Sequence, residues 1–349
     1  MKYLTSYLIP CSAVIGLCVG GGWSWLTPAA VFLGVPLLDW LFGRDDSNLD
    51  PQQEQKARQS VLYSAILYSY LPIQIGIICL LGSAWRQEGI PVVVRVGWVL
   101  SVILCTGGVG ITVAHELIHR RSSTERWIGK WILMTVLYMH FAIEHVRGHH
   151  ALVGTTDDPA TARKGMNVYR FIATTVPAQW ISAWKLETLR LHKHHLGAFH
   201  YRNEMLLYLA IELGWIVFIG ILFGIEFIPA LLLVAVLSFC LLEMINYIEH
   251  YGLERDKLSS GRYEPVNDHH SWNSNHRLSR MLLFELTRHT DHHMVASRPY
   301  QLLRNTDAGP QLPSGYPGMV LLTLVPPLWF AVMNPRVQRA QQQRLADSP

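Results

Sequence analysis

Six apolar runs punctuate the chain, and they decide most of what it can fold into. Runs of about 18 to 24 residues are the length a helix needs to cross a hydrocarbon core at 1.5 Å per residue. They lie near residues 4–24, 27–43, 61–85, 92–114, 205–224 and 227–249. Only 15% of the 349 residues are charged, against roughly a quarter in a typical soluble domain, so an ordinary soluble enzyme is excluded. The expected fold is all-α: a polytopic membrane protein of about six transmembrane helices with a cytoplasmic, histidine-rich helical cap. No small-residue cleavage site precedes the second run, so the first reads as a retained span rather than a signal peptide.

Positive charge sets the orientation. Residues 115–204 hold 12 of the 29 Lys and Arg, residues 250–349 hold 11, and the turns joining spans 1 to 2 and 5 to 6 hold none. Cytoplasmic segments carry such an excess, which puts both termini in the cytoplasm. The chain then divides into spans 1–4 (1–114), a cytoplasmic or interfacial histidine region (115–204), spans 5–6 (205–249), a second cytoplasmic histidine region with a C-terminal segment (250–335), and a polar tail (336–349). Within the first histidine region, Trp127 to His145 reads as one interfacial or partly inserted helix.

All 17 histidines fall between His115 and His293. Nine stand out: His115 and His119 in HELIH; His145, His149 and His150 in EHVRGHH; His250 in NYIEHYGL; and His289, His292 and His293 in RHTDHH. On an α-helix, positions i, i+3 and i+4 share a face, so each cluster can offer two imidazoles to one cation. His149 and His150 point about 100° apart on such a helix, which suits a segment lying between two metals. A lone histidine is most often a satisfied polar side chain. Nine on one membrane face are not explained that way, and they exceed what one tetrahedral or octahedral ion takes. Two ions are expected, of a metal the spacing does not name, since imidazole suits zinc, copper, iron and nickel alike.

Three rival classes fit less well. HELIH matches the HExxH zinc-protease pattern with Glu116 as general base, but leaves seven clustered histidines without a role. A transporter should place its ligands near the bilayer midplane, and a haem cytochrome needs facing histidines within the spans. The cysteines, Cys11, Cys18, Cys79, Cys105 and Cys240, sit singly in apolar runs and form neither a disulfide framework nor an iron–sulfur site. Electrons for any redox chemistry are expected from another protein.

With these boxes the chain resembles the bacterial integral-membrane alkane 1-monooxygenases, non-haem diiron enzymes of the membrane desaturase and hydroxylase superfamily. The HxxxH, HxxxHH and HxxHH boxes mark the superfamily. NYIEHYGL (Asn246–Leu253), HHSWNSNH (His269–His276), RHTDHH, LPSGYPGM (Leu312–Met319), PLLDWLFGRD from Pro36 and TDDPATAR (Thr156–Arg163) are narrower marks. The resemblance implies two irons held by His115, His119, His145, His149, His150, His250, His289, His292 and His293. It omits His140, His200, His269, His270 and His276, and the run His192, His194, His195 matches no box. Glu116, Glu144, Asp158, Glu249 and Asp291 are candidates to hold imidazole N–H groups, with Asp158 and Glu249 foremost.

The implied reaction is terminal hydroxylation of n-alkanes to primary alcohols with O₂, in a bacterial inner membrane, with electrons from rubredoxin and its NAD(P)H-dependent reductase. Nucleic acid is not an expected partner. A xylene-type or fatty-acyl hydroxylase or desaturase is the alternative. In span 2, Ala29, Ala30 and Gly34 are candidates for a substrate passage or for close helix packing.

Overall fold

In the computed structural model, residues 2–306 and 308–347 are described. Among them every regular element is helical; β-pairing is confined to isolated bridges. Six helices are long and apolar enough to cross a membrane: Lys2–Val19, Gly21–Phe42, Leu62–Trp85, Val92–Ile118, Glu204–Phe223 and Ile225–His250. The chain is a multi-pass membrane protein, built from the element that satisfies its own backbone in lipid.

Spans 4 and 6 are too long for the bilayer. Their 27 and 26 residues make about 40 Å of helix against roughly 30 Å of hydrocarbon. The sequence reading stopped them at residues 114 and 249, yet each helix continues, because no breaker follows and His115, Glu116 and His250 remain in helical register. The surplus turns carry His115 and His250 out of the apolar layer.

The same two spans press together at one glycine. A Cβ on Gly107 would lie 2.7 Å from the Ser238 backbone, and Thr106 Oγ1 and Ser238 Oγ hydrogen-bond there at 2.6 Å. Gly107 belongs to a π-helical turn, Leu104–Gly110; two more occur at Ala30–Gly34 and His145–His149. Such widened turns recur at functional sites. Here the first two border an apolar chamber and the third carries two of the nine histidines, with His150 immediately after it.

Trp127 to His145 is not one helix. Ser123–Met134 is helical, the chain then breaks over residues 135–140 with Leu137 at φ 54°, and helix resumes at Phe141. Thr135, Tyr138 and Met139 of the break are buried. Non-helical backbone survives at membrane depth only when protein satisfies it, and three spans do so. Gln74 Nε2 donates to Thr135 Oγ1 at 2.5 Å, Met139 N–H donates to Glu212 at 2.7 Å, and Tyr138 Oη donates to Glu243 at 3.1 Å.

One core fills the space between the spans, and a second lies under the cap around Tyr247, Tyr251, Trp272, Tyr316 and Trp329. The stretch read as a polar tail from residue 336 is the second half of helix Pro326–Asp347, which buries Met333, Val337 and Ala340 in the second core. Residues 348–349 lie outside the described residues. Asp39, at the end of span 2, accepts from the N–H groups of Leu278 and Ser279 at 2.8 and 3.2 Å and from the Ser279 hydroxyl. It thereby caps helix Arg277–Leu282 and ties the cap to the membrane bundle. Gly107→Ala should force spans 4 and 6 apart, lowering stability by about 1–3 kcal/mol; a fall in the thermal unfolding midpoint in detergent is the check.

Candidate metal centre

The ends of spans 4 and 6, the helix after the 135–140 break, and helix His289–Met294 bring the nine histidines together. Their ring nitrogens converge in two groups. His115, His119, His145, His150 and His292 form one, and His149, His250, His289 and His293 form the other, with the donor atoms of each within 4.8 Å of one another.

Helical spacing explains two of the clusters and fails for the third. His115 and His119 at i, i+4 share a group, as do His289 and His293, while His292 crosses to the other. His145 and His149 are also i, i+4, yet they part. The cause is the π-helical turn: His150 N–H reaches back to His145 C=O, so His145 pairs with His150, their Nε2 atoms 3.1 Å apart. His149 is turned toward His250, ring centroids 4.8 Å apart. The adjacent pair His149 and His150 thus serves one group each, the division its 100° separation suggested.

The contacts between rings have the chemistry of a cation site. His150 and His292, His250 and His289, and His289 and His293 face each other through Nε2 atoms at 3.1, 3.1 and 2.9 Å. About 3 Å is the separation of neighbouring donors around an ion with bonds near 2.1 Å. His119 Nε2 and His149 Nε2 are buried without a hydrogen-bond partner, an expense that a bound cation removes. Burial, then the neighbouring imidazoles, pushes His119, His145, His150, His289, His292 and His293 well below the ordinary imidazole range. They are neutral at pH 7, the protonation state that binds metal.

Carboxylates sort by what they touch. Asp158 Oδ2 accepts from His149 Nδ1 at 2.9 Å and from Thr161 Oγ1 at 2.6 Å, and Oδ1 accepts from Ala160 N–H at 3.1 Å. Burial works to raise this carboxyl, but His149 and Thr161 outweigh it and hold it below the usual range. The anion fixes the His149 tautomer with Nε2 free for a metal. Glu249 Oε1 lies 3.3 Å from His289 Nδ1 and accepts from Tyr316 Oη at 2.7 Å.

The other three candidates face elsewhere. Glu116 meets Arg120 at 2.7 Å and the Tyr300 N–H at 3.2 Å, which leaves an HExxH mechanism without its base. Asp291 is held by Arg298 at 2.6 and 2.7 Å and by the Arg304 N–H at 2.9 Å. Glu144 is pushed well above the carboxylate range by burial and by Asp158 and Glu243, and accepts a hydrogen bond from Ser182 Oγ at 3.4 Å.

The remaining motifs brace the site. Asn273 and Thr290 exchange hydrogen bonds at 2.7 and 2.9 Å, fixing HHSWNSNH against RHTDHH. Trp272 N–H donates to Glu249 C=O at 2.8 Å and its indole N–H to Tyr251 C=O at 2.9 Å. His270 turns to Glu264 at 3.2 Å and His276 to Ser274 at 3.0 Å. His192, His194 and His195 are exposed and, like His140, His200 and His269, belong to neither group.

An apolar chamber ends against the histidines. Ile9, Val31, Phe32 and Val35 of spans 1 and 2, Leu104, Gly108 and Ile111 of span 4, and Leu241 and Ile245 of span 6 line it, with His115, His145 and His289 at one end. Ala29, Ala30 and Gly34 are absent from this lining: the π-helical turn presents Val31 and Phe32 instead. Sequence periodicity does not show that rotation.

Residues 90–323 match the fatty acid desaturase family. Alkane 1-monooxygenase 1 of Pseudomonas aeruginosa is 44% identical over 325 residues, covering 90% of this chain and 83% of its own length. Alkane 1-monooxygenase 2 of the same organism is 41% identical, covering 90% of this chain and 84% of its own length. Alkane 1-monooxygenase 2 of Alcanivorax borkumensis is 38% identical, covering 95% and 87%. The chain belongs to the fatty acid desaturase family and, within it, to the alkane 1-monooxygenases.

Asp158→Asn should cut metal affinity 10- to 100-fold by releasing His149, and Thr161→Val should act in the same direction more weakly. Asp291→Asn should leave metal content unchanged. Elemental analysis and metal titration of the purified variants separate the three.

Proposed function

We propose that this protein hydroxylates n-alkanes at the terminal carbon, with the nine histidines holding two irons. The observation that carries this reading is the apolar chamber between spans 1, 2, 4 and 6, which runs to His115, His145 and His289. The reaction balances as alkane plus O₂, two electrons and two protons giving a 1-alkanol and water. Bound iron supplies O₂ reduction and an oxidant strong enough for an unactivated C–H bond.

The chain's own residues do the rest. An alkane has no polar handle, so it is held by apolar contact alone. Burial is worth about 0.8 kcal/mol per CH₂, but lipid already supplies most of that. The chamber therefore acts mainly by orientation, directing one terminal methyl to the histidines. Asp158 sets the His149 tautomer, and Tyr316 holds Glu249 beside His289.

Rubredoxin, reduced by an NAD(P)H-dependent reductase, is the proposed electron source, arriving on the cap side. The excess of Lys and Arg in residues 115–204 and 250–349 supports a cytoplasmic cap with both termini on that side of a bacterial inner membrane. Purified, iron-loaded protein with rubredoxin, reductase, NADH and a medium-chain alkane should form the 1-alkanol. Alkenes from acyl substrates, with no alkanol, would instead identify a desaturase.

Chamber shape should set chain length. A Cβ on Gly108 meets only Leu241 Cδ2, at 3.9 Å, so Gly108→Leu projects into the chamber without striking backbone. It should shorten the longest alkane accepted, and Phe32→Ala should lengthen it. Product profiles across alkanes of graded length give the readout.

A further inference from the structure

A second cavity reaches the histidines at His119, and its character is reversed. This cleft of about 430 Å³ is lined by Arg120, Arg126, Lys130 and Arg147, with Ser123 and Glu204, and it touches His119. Cations outnumber the carboxylates that neutralise them. Glu204 serves both Lys130 at 3.2 Å and Arg147 at 3.0 Å, and Glu187 is divided between Arg147 and Arg190. Arg120 pairs with Glu116 at 2.7 Å, its Nε buried with no acceptor, and among the described residues Arg126 donates only to the carbonyls of Arg120 and Arg121.

The height of the cleft identifies the anion. It lies between the end of span 4 at Ile118 and the start of span 5 at Glu204, the level at which lipid phosphates stand. Aromatic side chains mark that level in membrane proteins: Trp131 is exposed, the tilted ring of Trp127 lies 6.0 Å from it, and Lys130 lies over the rings of Trp127 and Tyr208 at 4.7 and 5.1 Å. Long cationic side chains bury their stems here and keep their heads at the interface.

We propose that this cleft binds the phosphate of an anionic phospholipid from the leaflet on the cap side. The headgroup would rest against His119, one of the two least buried of the nine histidines, and close the polar approach to that group while the apolar chamber stays open to substrate.

The test uses delipidated full-length protein, with phosphatidylglycerol in phosphatidylcholine nanodiscs as the probe and retained lipid counted by native mass spectrometry. Each cation near the surface contributes enough that Arg126→Gln should weaken phosphatidylglycerol binding roughly fivefold, and Arg126→Gln with Lys130→Gln roughly 25-fold. Arg126→Lys should restore most of it, and Arg339→Gln, on an exposed face of the C-terminal helix, should change nothing. Unchanged lipid binding in Arg126→Gln overturns the proposal, and that single substitution of a half-buried side chain stands alone if the double variant fails to fold. Full competition by inorganic phosphate makes the cleft a free-anion site and overturns the lipid assignment. Loss of affinity for reduced rubredoxin with lipid binding intact makes it a carrier contact, which overturns it equally.

Discussion

Everything in this protein is arranged around the mutual crowding of nine imidazoles. Neutral rings whose nitrogens approach to about 3 Å, with few donors among them, form a set that folding alone does not favour, because each buried nitrogen without a partner costs roughly 1–3 kcal/mol. A cation reverses that sign. The histidines must therefore be held in place by the structure around them, and the surrounding hydrogen bonds serve that purpose. Asp158 on His149, Asn273 on Thr290 and Trp272 on the Glu249 carbonyl each fix a ligand-bearing segment from outside, and Asp39 holds helix Arg277–Leu282, which leads into the RHTDHH segment.

Polar residues buried in the spans follow the same logic one layer further out. Gln74, Glu212 and Glu243 each bond the broken stretch at residues 135–140. That break redirects the chain into the EHVRGHH segment. A carboxylate inside an apolar helix is costly unless partnered, and here the partners are the amide and hydroxyls of a turn that could not otherwise exist at that depth.

The sequence made the spans and the histidine boxes legible because both are matters of composition and spacing. Rotation was harder to read. HxxxHH invites an α-helix with His145 and His149 on one face, and nothing local announces the π-helical turn that pairs His145 with His150. Glu116 and Glu249 both neighbour a ligand in sequence, yet only Glu249 lies beside an imidazole, because Arg120 one turn on draws Glu116 away. The chamber wall misled in a similar way: small residues suggested a passage, whereas the helix turned Val31 and Phe32 into it.

The contact at Gly107 works as a fulcrum. His115 lies eight residues beyond it on a continuous helix, about 12 Å away, and His250 lies twelve residues, about 18 Å, beyond Ser238 on the partner span. A relative tilt of about 5° at that crossing therefore moves the histidine-bearing ends by about 1 to 1.6 Å, at least half the length of a metal–nitrogen bond. Bilayer thickness acts on helix tilt, so the membrane itself is mechanically coupled to the spacing of the two histidine groups.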